Sequence, residues 1–128
     1  MKLLLDTHAF LWWDSDPGKL SPKALAACQD PANEMVLSVA SVWEMQIKLQ
    51  LGKLKLSLPL ETIIETQQAT NAIVILPIAL AHVLALRELP PTHKDPFDRL
   101  LVAQANSEGA TLVSSDPIFQ SYTVSRLW

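Results

Sequence analysis

The sequence predicts one three-layer α/β/α sandwich around a central, mainly parallel sheet. Three observations carry that expectation. Short apolar runs recur at residues 2–5, 34–38, 72–76 and 111–114, and such runs read as strands buried on both faces. Stretches with helical spacing separate them. Strands roughly 30–40 residues apart with helices between them give right-handed crossovers and parallel pairing. Finally, 128 residues of which 49% are hydrophobic can build one core, and so a single domain over residues 1–128.

The elements follow in order. Residues 2–5 (KLLL) form the first strand, with Asp6 directly after it. Residues 8–13 (HAFLWW) are apolar on all sides after the first, which suits a buried or partnered helix. Ser21 and Pro22 supply the cap and first residue of a helix running to about Gln29. Residues 34–38 (EMVLS) form the second strand. Ser41 can cap a helix through Leu49, stopped by Gly52. Residues 53–58 alternate, with Leu54, Leu56 and Leu58 opposite Lys53, Lys55 and Ser57, as in a half-exposed extended segment.

Residues 60–69 carry Leu60, Ile63, Ile64 and Gln67 at helical spacing, and 72–76 (AIVIL) read as the third strand. Residues 79–87 predict a helix with Leu80, Val83 and Leu84 turned inward. The stretch 89–94 contains two prolines and reads as a loop. Asp95 and Pro96 start a helix that runs to Ser107 and ends at Gly109. Residues 111–114 form the fourth strand, Asp116-Pro117 opens a turn or short helix, and 123–127 suit a final edge strand.

Composition excludes several functions. Three glycines leave no Gly-rich phosphate loop. Thirteen Asp and Glu against ten Lys and Arg give a net charge of −3, which argues against binding nucleic acid by bulk basic charge. No apolar run reaches the roughly 18 residues of a membrane span, so no membrane association is expected. The single cysteine, Cys28, and a start without a signal peptide point to the cytoplasm. Charged residues make up only 18%, which suggests that another chain covers some apolar surface.

Ligands of a parallel sheet bind beyond the carboxyl ends of its strands, and several acids fall there. Asp6 ends the first strand, and Glu44 is expected in the first turn of the helix after the second. Asp95 and Asp98 open the helix before the fourth strand, and Asp116 follows that strand. Each has a modest role open to it: Asp95, Asp98 and Asp116 suit helix starts. Asp6 is harder to explain that way, because a buried strand end is a costly place for a lone acid. Carboxylates gathered together repel and raise one another's pKa, and Mg²⁺ or Mn²⁺ relieves that, since hard cations take oxygen ligands.

Four segments carry a resemblance over almost the whole chain: LLLDTHAFLWW at 3–13, SVASVWEMQIK at 38–48, HKDPFDRLLVAQA at 93–105 and LVSSDPIFQSY at 112–122. The chain resembles PIN-domain ribonucleases, and specifically the VapC toxins of bacterial toxin–antitoxin pairs. The resemblance implies a metal-dependent endoribonuclease held inactive by a cognate antitoxin, and a homodimer. It puts the acidic quartet on Asp6, Glu44, Asp98 and Asp116, with Asp95 either a further ligand or a helix cap. Ser114 matches the hydroxyl residue that supports the site by hydrogen bonding.

One or two Mg²⁺ or Mn²⁺ ions on this quartet could activate water for phosphodiester hydrolysis. A Ser/His/Asp mechanism has little support without a GxSxG elbow. A dehalogenase-type phosphatase would need a second Asp where His8 stands. A non-catalytic module binding RNA or protein is the alternative. His8 is expected to support the site or pack on the sheet, His93 is a loop candidate for RNA, and His82 lies away from the acids. Lys48, Lys53, Lys55 and Arg99 are candidate RNA contacts. Phe10, Trp12 and Trp13, with Trp43 and Met45, are candidates to line a groove for the antitoxin.

Overall fold

The computed structural model of the chain describes residues 1–91 and 94–128. Five strands, β1 (Lys2–Leu5), β2 (Glu34–Ser38), β3 (Val74–Leu76), β4 (Thr111–Val113) and β5 (Arg126–Leu127), form one sheet in the order β3-β2-β1-β4-β5. Every neighbouring pair is parallel. The strand order turns outward in both directions from β1, and that reversal opens a crevice at the carboxyl edge.

Among the described residues six helices cover the sheet: α1 (Thr7–Ser15), α2 (Pro22–Gln29), α3 (Val39–Gln50), α4 (Leu60–Asn71), α5 (Leu80–Ala85) and α6 (Pro96–Glu108). The side-chain alternation of β1 shows the layering. Leu3 and Leu5 pack with Phe10 of α1, Ala24 and Cys28 of α2, Met45 of α3 and Ile63 of α4. Leu4 packs on the opposite side with Leu101, Val102 and Ala105 of α6, and with Phe119 and Tyr122. A strand buried on both faces has to be apolar throughout, which is why KLLL reads as it does. Among the described residues no helix is long and apolar enough to cross a membrane.

Several expectations shift. α3 starts at Val39, capped by the Ser38 hydroxyl through the Ala40 N–H at 3.0 Å, not by Ser41. Ser41 is instead buried inside the helix, and its Oγ has no hydrogen-bond partner among the described residues. Glu44 therefore sits in the second turn. β3 begins at Val74 because Ala72 closes α4 in the left-handed conformation (φ 55°). The final strand shortens to two residues. Of the alternating segment 53–58, Leu54 and Leu56 pack on the core while Leu58 stays exposed. The helix α5 is the clearest reversal. Leu80, Val83 and Leu84 are 74%, 46% and 49% exposed, and the inward residue is His82.

Candidate functional site

At the carboxyl edge lies a cavity of about 130 Å³ walled by five carboxylates, Asp6, Glu44, Asp95, Asp98 and Asp116, together with Thr7, His8 and Lys48. The topology explains the gathering. β1 and β4 are neighbours with Leu5 opposite Val113, and the Asp6 N–H donates to the Val113 carbonyl at 3.1 Å. Asp6 and the residues just after β4 must therefore meet. β2 flanks β1 on the other side, which brings α3 and Glu44 in beside α1. α6 enters from the other layer with Asp95 and Asp98 at its start.

Capping and cavity lining turn out to be compatible. Oδ1 of Asp6 accepts the Ala9 N–H at 2.8 Å, that of Asp95 the Phe97 and Asp98 N–H groups at 2.8 and 3.2 Å, and that of Asp116 the Ile118 N–H at 3.0 Å. Each cap uses one carboxylate oxygen and fixes the orientation of the acid. Ser114 ties two of them together: its buried hydroxyl donates to Asp6 and accepts the Asp116 N–H at 3.0 Å. Thr7, which the sequence reading passed over, donates its hydroxyl to Glu44 Oε1, and Lys48 Nζ lies 3.5 Å from Glu44 Oε2. Thr7 directly follows Asp6, and that adjacency was the available signal.

Burial pushes the Asp6 carboxyl above its ordinary value, and neighbouring Asp116 pushes it further. The Ser114 hydroxyl, the Ala9 N–H and His8 pull against this without overcoming it. A carboxylate kept costly in this way favours a cation. Among the described residues no three His, Cys, Asp or Glu side chains form a ready-made ligand cage; the five acids share walls, not one coordination sphere. The donor set is all oxygen and strongly negative, so it fits a hard divalent cation. A larger cavity of about 700 Å³, lined in part by Trp13, Cys28, Glu34 and Val74, opens at the amino edge of β2 and β3 and gathers no such chemistry.

The remaining candidates divide. His8 is exposed, lines the acid cavity and stacks on Trp12 with ring centroids 5.7 Å apart. His93 lies outside the described residues. Lys53 and Lys55 are exposed and do not line the cavity. The Arg99 guanidinium donates to the Pro90 and Leu86 carbonyls and to the Tyr122 hydroxyl, bracing α6 against its neighbours. Phe10 and Met45 are wholly buried, so they belong to the core and cannot line an open groove. Trp12 and Trp13 are half-buried over that core, and Trp13 donates to Gln67 at 3.0 Å. Trp43 is 56% exposed and meets Phe97 edge to face at 5.1 Å.

Comparison with known proteins agrees with this architecture. The sequence matches the PIN domain family over residues 3–124. It is 30% identical over 121 residues to Ribonuclease VapC22 of Mycobacterium tuberculosis, covering 94% of this chain and 91% of that protein. The fold is similar to that in the crystal structure of VapBC2 from Rickettsia felis bound to a promoter DNA fragment, with a TM-score of 0.72 and 16% identity over 99% of this chain and 98% of that one. DNA-bound VapBC from Salmonella typhimurium aligns with a TM-score of 0.65 and 15% identity over 100% and 97% of the two chains. With a match across nearly its whole length, and with that fold and acidic edge, the chain belongs to the PIN domain family, among its VapC proteins.

Proposed function

We propose that the protein is a metal-dependent endoribonuclease toxin, working as one unit over residues 1–128 and neutralised by a cognate antitoxin. The observation that carries this is the convergence of five carboxylates in one small cavity, in a chain 30% identical to a ribonuclease over most of its length. Asp6, Glu44, Asp98 and Asp116 would hold one or two Mg²⁺ or Mn²⁺ ions, with Asp95 a further ligand. Held there, such ions would provide an activated water and offset charge on the phosphate. The chain's own groups do the positioning. Ser114 holds Asp6 and Asp116 in register, Thr7 aims Glu44, and the caps at Asp6, Asp95 and Asp116 fix three carboxylates to rigid backbone. His8, exposed at the cavity wall, stands where a substrate group would pass.

The test is cleavage of bacterial RNA. Asp6→Asn and Asp98→Asn proteins should lose at least about a thousandfold in rate with circular dichroism unchanged, and excess EDTA should silence the wild type. Full activity in either variant, or in EDTA, overturns the proposal. The intact acidic set speaks against the non-catalytic alternative. Half-buried Trp12 and Trp13 and the exposed Trp43 are the remaining aromatic contacts for an antitoxin segment, and Trp12→Ala should weaken that complex. Leu80, Val83 and Leu84 offer the apolar face for a homodimer. We place the protein in the cytoplasm, where the free Cys28 thiol stays reduced.

A further inference from the structure

We infer that Lys48 couples metal binding to substrate binding: it neutralises Glu44 while the cavity holds no divalent ion, and turns to an RNA phosphate once an ion takes Glu44. The inference rests on the metal-nuclease reading above and adds to it a residue with two successive partners.

Of the residues lining the acid cavity, Lys48 is the sole Lys or Arg among those described, facing five carboxylates. The other basic candidates are elsewhere. Lys53 and Lys55 do not line the cavity, and Arg99 is held by carbonyls and Tyr122. Lys48 stands one helical turn after Glu44 on α3, with the acid N-terminal, the favourable order for such a pair. At 3.5 Å, with the lysine side chain 35% exposed, the contact is a weak ion pair that a doubly charged cation readily displaces.

Glu44 does not depend on it. Its other oxygen accepts the Thr7 hydroxyl, and the pair leaves the glutamate side chain only 15% exposed. Lys48 can therefore leave without misplacing the acid. A flexible stem carrying three donors and a compact charge suits a phosphate oxygen arriving at the same cavity.

The experiment compares wild type with Lys48→Met, Lys48→Gln and Lys48→Arg proteins of matching circular dichroism. Mn²⁺ is titrated alone by calorimetry, and initial cleavage rates are then measured on total bacterial RNA at saturating Mn²⁺. Removing the competing positive charge should tighten Mn²⁺ binding about three- to tenfold in the Met and Gln proteins. Losing a phosphate contact should raise KM about tenfold and change kcat less than about threefold. Lys48→Arg should recover most of both. Unchanged or weaker Mn²⁺ binding overturns the counter-ion role, and an unchanged KM overturns the phosphate role. If the wild type itself binds no Mn²⁺ or cuts no RNA, the nuclease reading falls and takes this inference with it. If the wild type does both and the variants match it, the Lys48 assignment alone falls.

Discussion

The hydroxyl of Thr7 does work that a carboxylate cannot do for itself. Glu44 sits on α3, and among the described residues the bond that Thr7 donates is what ties its carboxylate to the β1 end of the site. Thr7→Val keeps the shape but deletes the donor, so Mn²⁺ affinity should fall roughly tenfold, the worth of one hydrogen bond to a charged group. Thr7→Ser should restore it, and equal affinity in the Val protein would show that Glu44 needs no such guide. Cys28, like Asp6, is a residue whose chemistry burial sets. The thiol is 5% exposed and its pKa is pushed up from 9.0 to about 11 by desolvation. Because the folded value exceeds the unfolded one, the folded state keeps its proton where the unfolded state loses it. Stability should therefore fall as pH rises from 9 toward 11, and Cys28→Ala should flatten that slope in urea titrations. The native thiol should also resist a disulfide reagent at pH 8, reacting only on unfolding.

At the scale of elements, a buried polar chain locks α3, α5 and α6 together. Ser38, the α3 cap, donates to Gln104 Oε1 on α6, and Gln104 Nε2 lies 3.4 Å from His82 Nδ1 on α5. His82 Nδ1 accepts the Ala79 N–H at 3.0 Å, and its other nitrogen reaches Glu108 at 3.0 Å. This chain sets how α3 and α6 stand to each other, and so how Glu44 stands to Asp98. Gln104→Leu would leave the buried Ser38 hydroxyl without its acceptor and should cost about 1–3 kcal/mol in urea unfolding. A loss under 1 kcal/mol would show that packing alone holds the helices. The same elements show what the sequence could reveal. The acids were legible because strand ends and Asp-Pro helix starts are local signals, and a parallel sheet sends them all to one edge. The side that α5 presents was not. Three apolar residues on a short helix read as a core face, yet the core takes His82, because Gln104 and Glu108 wait there for it. Those partners lie 22 and 26 residues away in sequence, beyond any local pattern. The exposed apolar side of α5 carries its own expectation. Leu80→Glu with Leu84→Lys should leave the unfolding midpoint nearly unchanged and turn a dimer into a monomer in sedimentation; a wild-type monomer would remove that role.

For the whole molecule, the net charge of −3 reports where the acids are more than how acidic the surface is. Thirteen acids less the quartet of Asp6, Glu44, Asp98 and Asp116 leave nine, against ten Lys and Arg, so the remainder is nearly neutral. The acidic edge is thus a local destabilisation that the fold carries for function. Burial raises the Asp6 pKa above the ordinary carboxyl value, so between the two values the folded state holds a proton there that the unfolded state has released. Stability then falls as pH rises through that window, and above it the buried carboxyl is a standing cost. A divalent cation that binds the folded cavity offsets this, and mass action sets the size. At a hundred times its dissociation constant, Mg²⁺ or Mn²⁺ should stabilise the fold by about 2.7 kcal/mol, or roughly 10 °C in melting temperature for a chain of this length. Asp6→Asn removes the standing cost and a ligand at once. Without metal it should melt at or above the wild type at pH 7, and metal should then add almost nothing. Two melting curves per protein, in EDTA and in Mg²⁺, separate the cases. A wild type indifferent to the ion, or an Asn protein that gains as much, would mean that the acids of this edge are not there to hold metal.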